Sequence, residues 1–126
     1  MSKEVQLRKD GYEKVTGRAR YTGDFTLPNM AHGFVVRSER AHATIDEIDL
    51  ADAKSSEGVL AVVIASDFGD LPNRFGHIVP DHFILATSKV RYVGEPVAVV
   101  VAVTEEQAFD AAQKIWVTYG DLPEIM

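Results

Sequence analysis

The side chains able to do chemistry are few in this sequence, and their spacing argues against most reactions. There are four histidines, His32, His42, His77 and His82, and no cysteine among 126 residues. Without cysteine the chain offers no thiolate nucleophile, no cysteine zinc site, no iron–sulfur ligand and no disulfide. No two histidines are four apart, the spacing that sets two imidazoles on one helix face. His77, Asp81 and His82 share one irregular stretch and are the best cation candidates, although a loop histidine is by default neutral and solvated. None of Ser38, Ser55, Ser56, Ser66 or Ser88 lies in a nucleophile elbow or a Ser–Lys motif. Asp46, Glu47 and Asp49 read as strand-end surface and a helix cap, not as paired acid–base carboxylates. There is also no Gly-rich phosphate cradle of either common kind.

Lys89 stands before a Val-rich strand, loosely as a lipoyl or biotinyl carrier lysine does. A helix with a strong capping signal does not belong in such an all-β sandwich, and the carrier reading is set aside. Net charge is −6, unevenly placed. Residues 1–20 hold six Lys/Arg against three acids, and the remainder seven against sixteen. An acidic body repels phosphate backbones, so no nucleic-acid partner is expected. Trp116 and the tyrosines read as core and rim residues. The longest apolar run, 97–103, is far short of the ~20 residues that span a bilayer. No apolar signal core follows Met1, and a cytoplasmic, membrane-free protein is expected.

The elements that would position these residues are short. With 46% hydrophobic and 25% charged residues, the chain has the balance and size of one globular domain. A single domain over 1–126 is expected, with 1–10 as a flexible N-terminal arm. Gly11, Gly17 and Gly23 suggest a turn, a short strand near 19–21 and a loop through Leu27-Pro28-Asn29. Strands are predicted over 31–37, 43–48 and 59–64 by β-branching and flanking turn residues. Between the last two, Asp49 is placed to cap a helix over 50–56, with Gly58 closing its far end. Residues 66–88 break all periodicity and form a functional loop or contain short strands. Residues 89–93 alternate as a strand with one wet face, and Gly94-Glu95-Pro96 makes a corner. The 97–103 strand is apolar on both faces, as a central strand is. Thr104 and Gln107 form a capping box opening a helix over 105–114, with Ala108, Phe109, Ala112 and Ile115 inward. A final strand covers 115–119. The expectation is an α+β fold: two strand–helix–strand units forming a mixed sheet, with main helices at about 50–56 and 105–114.

In order, these segments resemble a known family. Lys14-Val-Thr-Gly-Arg-Ala-Arg-Tyr-Thr-Gly-Asp24 with Leu27-Pro-Asn-Met30 is similar to the opening of the molybdenum-binding large subunit of xanthine dehydrogenases and aldehyde oxidases. Phe34-Val-Val-Arg-Ser38, Ala41-His-Ala-Thr-Ile45, Gly58-Val-Leu-Ala-Val62, Lys89-Val-Arg-Tyr-Val-Gly-Glu-Pro-Val-Ala98 and Val117-Thr-Tyr119 keep the family's order. The likeness runs from about Asp10 to Pro123 and departs at Asn29 and Glu39-Arg40, which are loop changes.

The resemblance implies the α/β-hammerhead domain at the start of that subunit. It implies an oxidoreductase using molybdopterin, iron–sulfur clusters and FAD in the complete enzyme, with cofactor and catalytic positions in later domains. No catalytic, cofactor-binding or metal-binding residue is therefore expected in this chain, and the fragment alone is expected to be inactive. Its implied role is structural and docking, its partners being the remaining molybdenum-binding domains and the iron–sulfur and FAD domains or subunits. The alternative is a free-standing interaction module with the same fold and no redox role. A candidate interface lies at Tyr92, Gly94, Glu95 and Pro96, where the turn is more demanding than a plain hairpin requires. Self-association of the fragment through exposed apolar surface is a further expectation.

Overall fold

A computed structural model describes residues 8–123. The chain falls into two compact units, residues 1–30 and 31–126. The first contains a five-residue helix, α1 (Gly11–Val15), and a 3-10 turn at Thr22–Asp24. Asp10 precedes α1 and pairs with Lys14 at 2.6 Å and Arg8 at 2.6 Å. These cations, Lys14 first, hold its carboxyl below the ordinary aspartate value. The strand expected near 19–21 does not form. The Glu13 carbonyl takes the N–H groups of both Arg18 and Ala19 at the end of α1, which removes donors a ladder would need. None of residues 8–30 is buried. Residues 1–7 of the expected arm lie outside the described residues.

Among its described residues the second unit contains eight strands, two α-helices and a 3-10 turn at Ala65–Phe68. In chain order the strands and α-helices are β1 (His32–Arg37), β2 (Ala43–Asp49), α2 (Ala51–Lys54), β3 (Val59–Ile64), β4 (Arg74–Phe75) and β5 (His82–Phe83). There follow β6 (Lys89–Val90), β7 (Pro96–Ala102), α3 (Glu105–Ala112) and β8 (Trp116–Asp121). The expected α+β class holds, but the expected mixed sheet does not form. One three-stranded sheet has the order β1-β7-β3 and another β6-β2-β8; all ladder pairs are antiparallel. The two strand–helix–strand units cross between these sheets in opposite directions. α2 carries the chain from β2 to β3, and α3 carries it from β7 to β8.

The two-faced apolar pattern of β7 follows from this arrangement. Ala98 and Val100 face one cluster with Leu50, Ala53, Val62, Ala111, Ala112 and Ile115. Val97 enters a second with Ala43, Ala86 and Val90. A single strand thereby ties both cores.

Several boundaries differ from expectation for local reasons. α2 is four residues long, not seven, because the hydroxyls of Ser55 and Ser56 both donate to the Asp52 carbonyl and end the helix. The cap position is Leu50, one residue later than expected, and Asp49 precedes it with its Oδ1 accepting from the Ala51 N–H at 3.0 Å. Gly58 lies past the helix end, at φ 78° in the turn closed by Val59 N–H and the Ser56 carbonyl. Thr104 accepts from the Gln107 N–H at 3.2 Å, so half of the capping box forms. The Gln107 side chain does not reach back; its Oε1 is buried without a partner, against Gly58. Phe109 is half exposed, packing edge-on against Phe34 at 5.2 Å, and Ala111 takes the inner place expected for it. The irregular 66–88 stretch does contain short strands: β4 and β5 pair as a hairpin, and the Asn73 amide extends the ladder by bonding both Leu85 backbone groups.

Candidate functional site

The corner proposed from sequence as an interface is held mainly from within. Glu95 is 2% exposed, and its carboxylate accepts from the Arg91 N–H at 2.5 Å and from Arg91 Nη1 at 3.0 Å. That capture of the Arg91 N–H ends β6 after Val90, three residues earlier than the alternation predicts. Gly94, at φ 91°, occupies the third position of a turn closed by Glu95 N–H and the Tyr92 carbonyl, where a side chain would be strained. Its carbonyl accepts from Arg37 Nη1 at 2.9 Å, and its N–H donates to the Ser38 carbonyl. Pro96 opens β7, with its carbonyl accepting from the Ala86 N–H. Of the four named residues only Tyr92 presents much surface, together with its neighbour Val93.

The cation candidates do not converge. Asp81 Oδ1 lies 3.7 Å from His82 Nε2, both exposed, and the His82 ring lies against Phe75. Among the described residues no group of three or more His, Asp or Glu side chains is placed to hold a metal ion. His42 bonds the Pro123 carbonyl through Nδ1 at 2.7 Å, which ties the start of β2 to the chain beyond β8. Lys89 sits in the ladder opposite Thr44, not on a hairpin tip.

What the second unit offers is open apolar surface, in two places the sequence did not single out. Around the β4–β5 hairpin, Leu71, Phe75, Ile78 and Val79 are exposed, Ile78 at 90%. The other place is a groove of about 590 Å³ between β1 and β8, closed at one end by the last turn of α3. Its walls include Phe34, Val36, Val117 and Tyr119, and its rim carries Arg37, Glu39 and Arg40. Trp116, beside it, is 74% exposed. The alternation of 115–119 marks a strand but not which side of it remains open, so Trp116 read as core or rim. Among the described residues no helix is long and apolar enough to cross a membrane.

Comparison with known proteins bears on these surfaces. Residues 16–123 match the family described as aldehyde oxidase and xanthine dehydrogenase, a/b hammerhead domain. The chain is 43% identical to a probable xanthine dehydrogenase subunit of Bacillus subtilis, over all of this chain and 17% of that protein. It is 37% identical to the nicotinate dehydrogenase large molybdopterin subunit of Eubacterium barkeri, over 95% of this chain and 28% of that one. The reconstituted CO dehydrogenase of Oligotropha carboxidovorans superposes on 94% of this chain with a TM-score of 0.87 and 36% identity, using 15% of its own chain. The chain thus spans under a third of the length of these relatives.

Proposed function

This chain belongs to the aldehyde oxidase and xanthine dehydrogenase a/b hammerhead family, and we propose on that premise that it is the structural and docking domain of a molybdenum hydroxylase large subunit. One observation carries the reading: the likeness covers the whole chain yet only 17% of the Bacillus subtilis relative. In this reading molybdopterin is held by later domains of the large subunit, and iron–sulfur clusters and FAD by other domains or subunits. The complete enzyme is a cytoplasmic oxidoreductase of purine, aldehyde or N-heterocycle substrates.

The unit 31–123 contributes surfaces to that assembly: the β4–β5 hairpin, Tyr92 with Val93, and the groove beside Trp116. Monomeric proteins rarely leave so much apolar surface in contact with water, so the lone chain is expected to self-associate.

The test compares the complete large subunit with one lacking residues 1–126, expressed with the other subunits. The truncated form is expected to lose assembly and turnover together, while the purified chain alone binds no molybdopterin and oxidises neither aldehyde nor purine. Stoichiometric pterin on the lone chain, or an active enzyme without it, overturns the reading.

A further inference from the structure

The groove between β1 and β8 is bounded by two sheet edges, because β1 ends the first sheet and β8 the second. The backbone on the β8 side can be assigned from its neighbours. The Ile45 N–H donates to the Ser88 carbonyl, so Ile45 turns its backbone groups toward β6 and away from β8. Ile45 is paired with Tyr119, which therefore belongs to a non-hydrogen-bonded pair and also faces away from β2. Gly120 next to it shows the opposite sense, its carbonyl accepting from Thr44 Oγ1 across the ladder. The register shift between Ile45 and Glu47 places the extra residue, Asp46, on β2, so β8 keeps its two-residue alternation: Val117 faces outward with Tyr119, whereas Thr118 faces β2.

Among the described residues these outward groups take part in none of the backbone hydrogen bonds formed outside the ladders. A strand edge of this kind is a template for another strand, and proteins normally cover it or blunt it with charge or proline. Here the edge instead carries the chain's one tryptophan, largely exposed.

We propose that this groove receives an extended segment from the remainder of the large-subunit polypeptide, hydrogen-bonded to the outward N–H and C=O groups of Val117 and Tyr119 and covering Trp116. The inference rests on the docking role proposed above and names the surface that performs it. Two observations select this occupant. Most of the relatives' polypeptide lies outside the stretch that this chain matches, so the same subunit supplies ample chain to pair with the edge. The rim holds two guanidinium groups, Arg37 and Arg40, against one carboxylate, Glu39, in a body that is otherwise strongly acidic. Arg37 is engaged with the Gly94 carbonyl, and Arg40 forms no ion pair among the described residues. The incoming segment therefore places an apolar side chain on Trp116 and a carboxylate beside Arg40. Strand addition gives affinity through the main chain and specificity through such side-chain contacts.

Amide hydrogen exchange on the complete large subunit tests this. Val117 and Tyr119 amides are expected to exchange at least about 100-fold more slowly than free amides, as Thr118 does within its ladder. Arg40→Glu, on an exposed residue, is expected to speed exchange at Val117 and Tyr119 about tenfold and leave Thr118 unchanged. Free exchange at both positions overturns the proposal. So does protection that disappears when the other subunits are stripped from the large subunit, because a different chain then fills the groove. An assembled, active enzyme with both amides exchanging freely removes this proposal and leaves the docking role standing. Activity without residues 1–126 removes the docking role itself.

Discussion

The two crossovers connect the same pair of sheets in opposite directions, but they are built unequally. α3 has eight residues, a threonine cap and three buried alanines, Ala108, Ala111 and Ala112. α2 has four residues and buries only Ala53. A single helical turn is unstable alone, since nucleation fixes several dihedral angles for one hydrogen bond. α2 is therefore held by the core it touches, with Leu50 and Ala53 in the cluster that α3 and β7 dominate. The lesson is one of dependence: the second crossover organises the domain and the first follows it.

Changes in the shared core should have the largest effect. Val100 is fully buried in the cluster that both helices join. Val100→Ala is expected to cost about 2–3 kcal/mol by lost burial and a residual cavity, read by denaturant unfolding. Both crossovers should melt in one transition; separate transitions would break that dependence.

A sharper test lies where the crossovers touch. Gly58 sits at positive φ, and a Cβ there would overlap the outer atoms of the Gln107 side chain. Gly58→Ala is expected to cost about 2 kcal/mol through backbone strain and that overlap. Adding Gln107→Ala removes the overlap but not the backbone strain, so a minor part of the loss should return as coupling in a double-mutant cycle. Strict additivity would mean that the turn after α2 and the first turn of α3 are not coupled.

The caps give a smaller contrast. Thr104→Ala removes the acceptor for the Gln107 N–H and should cost about 1 kcal/mol. Asp49→Ala should cost about half as much, because Asp49 lies before the cap position and supplies one exposed acceptor to the first N–H of a four-residue helix. Reversal of that order in thermal melts would reverse the ranking of the crossovers.

The smallest effect lies outside both, at Asp10. Lys14 and Arg8 lower its carboxyl pKa, so the stabilisation of α1 is complete above the ordinary aspartate value and is lost as pH falls through the lowered one. In Lys14→Met the carboxyl titration followed by NMR should move up toward the ordinary value. An unchanged midpoint would assign the shift to Arg8 alone.

Local rules made much of this molecule legible. β-Branched runs located β1, β2, β3 and β7, and the Thr104 to Gln107 spacing located the start of α3, because these signals act between residues close in sequence. The same rules failed where a distant or competing partner took the backbone. The strand near 19–21 was lost to the Glu13 carbonyl, and the strand over 89–93 was cut short by the Glu95 carboxylate. At the site, Tyr92 to Pro96 were noticed for their turn chemistry. The groove left no sequence signal, since an edge strand and a covered strand share one alternation.

By itself, then, the sequence determined the class of the fold, the order of its elements and the family, through periodicity and turn residues that act locally. Tertiary structure alone decided that six of the strands form two three-stranded sheets and that β7 serves two cores. It also decided that β1 and β8 stand as open edges beside an exposed tryptophan. Which strand ends a sheet depends on pairings between residues dozens of positions apart, and alternation along a strand does not encode them.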